Sequence, residues 1–379
     1  MRENARQTCC GKAGLAVLKF LIRSTHSRYQ VLIAQWLAAA VLGIGALSTA
    51  CAQTGDAERP VPILTGNAGY FTFVNGGAAE LNPQINPVLL VPIGDRWLIE
   101  SRAEFEGEFE RKDDGIGPYG GVVNKEIDYL QADYIANRYV TITAGRFLTP
   151  FGIYNERLYP IWIRDLQNTP LIFPLGTGSS DGVMLRGGFA LNSRVNLNYA
   201  TYFSTLSTVN RFESDRVAGF RAGLFLPGPR IEFGGSWRKE LQEDRPTGFG
   251  FHFAWQPPAI PLNLRSEYAR TDDGSGYWIE GAYRLSQVPF WQKAMRRTEI
   301  VGRAQQFFSH GLEEDEAAEY GLPEFNTQEG DFGLNYYLRD GLKATASYGR
   351  QFSSDGNRNV WSFGVAYRFA VPLGRVRPQ

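Results

Sequence analysis

Beyond residue 65 the apolar side chains of this chain recur at every second position, and that period limits what it can fold into. Trp361, Phe363, Val365, Tyr367 and Phe369 alternate with Ser362, Gly364, Ala366 and Arg368. Phe249, Phe251, Phe253 and Trp255 alternate with Gly250, His252 and Ala254. Leu342, Ala344, Ala346 and Tyr348 alternate with Lys343, Thr345 and Ser347. Side chains of a strand point to opposite faces in turn, so each segment is a strand with one apolar face, not a helix. The pattern predicts sixteen strands: 66–74, 85–93, 97–111, 125–136, 139–146, 182–191, 194–203, 216–225, 230–239, 247–256, 262–270, 275–285, 298–307, 328–338, 342–351 and 359–369. The second is the weakest, because Pro87 and Pro92 interrupt it.

Two all-β architectures compete, and the connections discriminate between them. Those after odd-numbered strands are long as a class, reaching 147–181, whereas those after even-numbered strands are mostly tight turns such as Asn137-Arg138 and Asn192-Ser193. A soluble sandwich or propeller has no reason to sort its loops by parity. A transmembrane barrel does, with short turns on the periplasmic side and long loops outside. Connection 271–274 is short for an outer loop, and 286–297 is long for an inner turn, with room for a short amphipathic helix. Most strands have the roughly 9–11 residues that a tilted strand needs to cross a bilayer. Trp237 and Trp361 fall near the proposed outer ends, and Trp255 and Phe369 near the inner ends, as an interfacial aromatic girdle requires. The expected fold is an all-β transmembrane antiparallel barrel of about sixteen strands.

The N-terminus fits export. A basic segment precedes the apolar run Val31–Leu47, and Ala50 and Ala52 form the small-residue pattern of a signal-peptidase site. Residues 1–52 therefore read as a secretory signal and 53–379 as one barrel domain. A retained anchor is the alternative, as is a lipoprotein through Cys51, although Ser48 stands where that motif wants an aliphatic residue. All three cysteines (Cys9, Cys10 and Cys51) lie in this stretch, which leaves no thiol for a disulfide, zinc site or nucleophile beyond it. The full chain is formally neutral, with 39 basic and 39 acidic residues. Six of the basic and one of the acidic residues precede residue 53, so the remainder carries a net charge of −5. That balance argues against nucleic-acid binding. A mean hydropathy of −0.27 is too polar for a helical membrane protein.

Two motifs carry a resemblance. Gly145, Phe147, Pro150, Phe151 and Gly152 resemble the G-x-F-x-x-P-F-G signature of bacterial outer-membrane porins of the phosphate-selective type. Ser362, Gly364, Tyr367 and Phe369 look like the terminal signal recognised by outer-membrane assembly machinery, here followed by Ala370–Gln379. The resemblance implies a sixteen-stranded, often homotrimeric channel for passive diffusion of small hydrophilic or charged solutes. It also implies outer-membrane lipid, lipopolysaccharide and the assembly machinery as partners. It does not carry phosphate selectivity, since the mature chain is net acidic and Leu148 stands where a basic residue often sits.

If apolar faces meet lipid, the opposite faces line a pore. The third strand then presents Arg102, Glu104, Glu106, Glu108 and Glu110 inward, and the fourth presents Asp128 or Asp133 according to register. Later strands present Arg186, Arg194, Arg221, Arg230, Arg238, Arg265, Arg284, Arg368 and Lys343, interspersed with Glu232, Glu267 and Glu280. This arrangement sets either an acidic wall against a basic wall or a wet face of locally paired charges. The long connection after the fifth strand is aromatic and aliphatic enough to be ordered, and porins commonly fold it inward. Its candidate constriction charges are Glu156, Arg157, Arg164 and Asp165. The 308–327 loop, with Glu313–Glu316 and Glu319, reads as a solvated outer loop or a cation-bridged lipopolysaccharide contact.

Catalytic signals are poor, and no cofactor, metal site or enzymatic activity is expected. The G-x-S-x-G match at Gly178–Gly182 has no buried strand before it and no helix pattern after it. The G-x-G-x-x-G match at Gly115–Gly120 has no following helix. Only His252 and His310 remain beyond residue 52, and His252 should line the pore. The alternatives are a barrel enzyme using one of those histidines and a soluble secreted β-protein that binds glycans.

Overall fold

The computed structural model describes residues 61–75, 78–111, 117–176, 178–206, 216–241, 247–312, 314–354 and 356–374. The expected signal segment lies outside them. The strands are β1 (Ile63–Asn75), β2 (Ala78–Ile93), β3 (Trp97–Arg111), β4 (Tyr119–Asn137), β5 (Val140–Leu148), β6 (Ser179–Asn192), β7 (Val195–Leu206) and β8 (Val217–Leu226). There follow β9 (Ile231–Glu240), β10 (Thr247–Trp255), β11 (Leu262–Arg270), β12 (Gly274–Arg284), β13 (Thr298–Ser309), β14 (Thr327–Arg339), β15 (Leu342–Ser353) and β16 (Gly356–Pro372). Each pairs antiparallel with the next, and β16 pairs with β1, closing the sheet. Closure leaves no strand edge with unpaired backbone groups.

The burial pattern is inverted relative to a water-soluble protein. Phe251 and Phe332 are exposed on the outside of the barrel, while His252 and Asp331 beside them are buried on the inner face. Among the described residues, buried polar and charged side chains outnumber buried hydrophobic ones. Exterior aromatics pair up, as in Trp97 with Tyr134 (4.8 Å between centroids) and Tyr348 with Trp361 (4.5 Å).

Loop parity holds for most of the circuit. The strands that follow one another across the longer sequence gaps, β3 to β4, β5 to β6, β7 to β8, β9 to β10 and β13 to β14, alternate with those joined by the short turns 94–96, 138–139, 193–194, 227–230 and 340–341. The tight turns have local chemistry: Asn137 and Asn192 each accept, at 2.8 Å, the backbone N–H two residues on. The 285–297 connection contains a 3₁₀ turn, Leu285–Gln287, and one α-helical turn, Gln292–Met295.

The second strand differs from expectation. It begins at Ala78 rather than residue 85, and the expected long connection shrinks to residues 76–77. Prolines do not stop it, because β1 and β3 offer room. Pro87 lies opposite Gly66, and a side chain on Gly107 would meet Pro83 at 2.9 Å. The ladder to β3 skips Pro83 and Pro87, as the missing N–H groups require.

A bulge resolves the choice between Asp128 and Asp133. On β3, Arg102 lies opposite Tyr129 and Ala103 opposite Ile127, so Asp128 has no partner. The extra residue flips the parity of β4, and both aspartates point inward and are buried. Alternation alone could place only one of them there.

Candidate functional site: a constriction inside the barrel

The turn out of β5 is built by the motif Gly145–Gly152. Phe147 is fully buried against Met184, Ala200 and Tyr202, and Phe151 is buried in a separate cluster with Tyr154, Trp278 and Phe307. These anchors turn 149–178 into the barrel. Gly152 takes φ +65 and sets its backbone against Glu267 of β11. The Glu267 carboxylate accepts the N–H groups of Ile153 and Tyr154, both at 3.2 Å, at the start of a single π-helical turn, Tyr154–Leu158. The Gly152 N–H donates to Ser236 at 3.0 Å.

Three of the four expected constriction charges pair with the interior wall, and the fourth, Arg164, is held within the loop. Glu156 pairs with Arg221 at 2.5 Å, and Arg157 pairs with Glu232 at 2.8 Å. Asp165 pairs with Arg265, which also holds Glu280 at 2.7 Å. Arg164 donates to the Tyr159 carbonyl and lies 4.3 Å from the centroid of the Tyr159 ring. The loop then reaches the far side of the barrel. Asn335 donates to the Asp165 carbonyl at 2.9 Å, and Lys343 to the carbonyls of Trp162 and Arg164 at 3.1 and 2.6 Å. Burial pushes the Asp165 carboxyl up to about 7 against the pull of Arg265. Buried ion pairs stabilise little after desolvation, but breaking one costs about 3–5 kcal/mol, so these pairs fix where the loop sits.

Wall charges are mostly paired locally, which corrects the picture of an acidic wall facing a basic one. Arg102 pairs with Asp128, Arg186 with Asp133 (3.6 Å), Arg238 with Glu240 and Arg284 with Glu299 (3.3 Å). Arg303, which the sequence reading missed, pairs with Asp331 (3.2 Å) and Glu280 (3.8 Å). Arg194 and Arg230 are not on the interior face. Both sit in short turns, Arg230 with φ 55. Glu104 accepts from Tyr159 of the loop at 3.2 Å, and Glu106 accepts from Gln84 and from Asn82 (2.7 Å). Glu108 accepts from Asn124 at 2.9 Å and is exposed, as is Glu110. Carboxylates that are hydrogen-bonded but not ion-paired thus gather on β3 toward the long-loop end.

Three further expectations change. His252 does not line open space: it is 4% exposed, with Nε2 3.6 Å from Glu232 and its ring against Gly234. The 310–326 loop is not wholly solvated, because Leu322 packs into the cluster around Phe151 and Trp278. Its helix Glu314–Tyr320 buries Ala317, while Glu313 and the side chains of Glu316 and Glu319 lie outside the described residues. The terminal motif is not the end of the strand, since β16 runs on to Pro372, opposite Ile63. Ser362 is buried inward and Tyr367 exposed outward. Gly364 makes room for the Phe71 ring, which a side chain there would meet at 2.1 Å. Ser180, the serine of the G-x-S-x-G match, hydrogen-bonds Thr149 at 2.8 Å. Of the G-x-G-x-x-G match, residues 115 and 116 lie outside the described residues, and a strand begins at Tyr119.

No family model matches the chain, and no curated protein sequence does. Solved structures do. The chain is similar to OmpF of Salmonella typhi, solved in complex with daunomycin, at 12% identity and a TM-score of 0.54, over 81% of this chain and 97% of that one. It is similar to the anion-selective porin from Comamonas acidovorans at 9% identity and a TM-score of 0.50, over 82% and 99%. It is similar to OmpT, an outer membrane protein of Vibrio cholerae, at 8% identity and a TM-score of 0.51, over 83% and 100%. The shared feature is the fold, that of outer-membrane porins.

Proposed function

We propose that the chain forms an outer-membrane channel for passive diffusion of small hydrophilic or charged solutes, narrowed by the 149–178 loop. The observation that carries this reading is the inverted burial of a closed barrel: apolar residues face outward and charged ones inward. In water such an exterior would aggregate, whereas in a bilayer the arrangement is the stable one. The short turns then face the periplasm and the long loops the exterior. Residues 1–52 act as the cleaved export signal, and Ser362, Gly364, Tyr367 and Phe369 as the assembly signal. A homotrimer in contact with lipopolysaccharide is the oligomeric reading, resting on the resemblance of the Gly145–Gly152 motif. The charged lining is mostly paired, which supports mild rather than strict selectivity.

Reconstitution into planar bilayers tests this reading. Stepwise conductance with a small zero-current potential in a salt gradient is the expected result. Recovery as a soluble periplasmic protein that migrates identically on denaturing gels before and after boiling would overturn it.

A further inference from the structure

The unbalanced cations of the interior collect at the short-turn end, around a cavity of about 600 Å³ between the loop tip and the wall. Arg297, Arg339 and Arg368 line it with Arg284. Arg284 is matched by Glu299, which also accepts from Tyr337 at 3.1 Å. Asp340 is the one acid in the lining. Three guanidinium groups against one carboxylate leave an excess of two positive charges. Lys343, buried behind Trp162 and tied to its carbonyl, adds a further cation outside the cavity.

The walls are not purely ionic. The rings of Trp162 and Tyr337 meet edge to face at 6.1 Å. Arg368 lies 5.2 Å from the centroid of Trp162, and Arg284 lies 3.9 Å from that of Tyr337. Stacking on aromatic faces holds those guanidinium planes in place, so less freedom is lost when they take an oxyanion. The volume falls in the range of pockets that enclose small organic molecules. An inorganic ion would leave most of it to water.

We propose that this cavity binds small organic dianions, their carboxylate or phosphate oxygens held by Arg339 and Arg368 and their carbon skeleton lying against Trp162. The proposal rests on the channel reading, because the cavity lies on the path between the constriction and the short-turn mouth. Such a site concentrates dianions at that mouth while leaving monovalent traffic nearly unaffected.

The test uses the refolded full barrel in bilayers and in detergent micelles. Its probes are phthalate, glycerol 3-phosphate, benzoate and inorganic phosphate. Phthalate and glycerol 3-phosphate should interrupt the current at lower concentration than benzoate or inorganic phosphate, and calorimetry in micelles should give the same order. If only one of the two dianions binds, it identifies the oxyanion group the site selects. Arg339→Gln together with Arg368→Gln should weaken binding about tenfold or more, one lost charge-assisted contact being worth about that factor. The double variant should keep its heat-dependent gel migration. Benzoate or inorganic phosphate binding as well as both dianions, or unchanged affinity in the folded double variant, would overturn the proposal. Calorimetric binding without conductance would keep the site and sink the channel, and conductance without binding would do the opposite.

Discussion

The carboxylate of Glu267 occupies the space that a side chain at Gly152 would need, its Oε1 1.6 Å from where a Cβ would stand. Gly152 also takes a left-handed φ of +65, which costs a residue with a side chain about 1 kcal/mol before any clash is counted. Gly152→Ala should therefore leave the barrel assembled and undock the loop. Single-channel conductance should rise and become noisy. Wild-type conductance in the folded variant would mean the loop does not narrow the path.

Phe251 and His252 are neighbours on opposite faces of β10. Phe251 is 62% exposed on the outside, where an arginine at mid-bilayer costs about 2–4 kcal/mol. Phe251→Arg should abolish heat-dependent migration, and Phe251→Leu should preserve it. His252→Arg is not the harmless control that a pore-lining position would allow, because the ring is packed against Gly234 beside the Arg157–Glu232 pair. His252→Ser should fold. If Phe251→Arg assembles and His252→Ser does not, the inside–outside phase of β10 is wrong.

Glu104, Glu106 and Glu108 changed together to Gln should shift the zero-current potential toward anions, most clearly at low salt, where screening is weak. The structure divides their roles. Glu108, exposed and free of an ion pair, should account for most of the shift, while Glu104→Gln should mainly disturb the Tyr159 contact. An assembled triple variant with unchanged selectivity at low salt would remove these residues from the conducting path.

Asp165 supplies a pH dependence. Its carboxyl, ordinarily near 3.8, is pushed up to about 7 by burial. The folded state therefore holds a proton that the unfolded chain releases between those values. The group's contribution favours the docked loop as pH falls through 7, and it is lost as pH rises. Protonation also removes one negative charge from the constriction. Lowering the pH from about 8 to about 6 should move the zero-current potential toward anions. Asp165→Asn should shrink that step, and an undiminished step in this variant must belong to other groups.

Strand number and inside–outside phase were legible in the sequence, because alternation is local and the two faces demand opposite chemistry. The inward turn after β5 was expected from the resemblance of Gly145–Gly152 to the porin motif, in which Pro150 fixes φ and the glycines permit positive φ. Tertiary structure decided the rest. Pro83 and Pro87 of β2 are accommodated because Gly107 and Gly66 face them. Asp128 and Asp133 share a face only because register slips by one residue against β3. Asp165 finds Arg265, and Lys343 finds the carbonyl of Trp162, across the barrel and far apart in sequence. Charges read from alternation alone look like two opposed walls. Most of them pair along the wall itself, and the folded loop pairs Arg221, Glu232 and Arg265, because a buried charge left unpaired is costly.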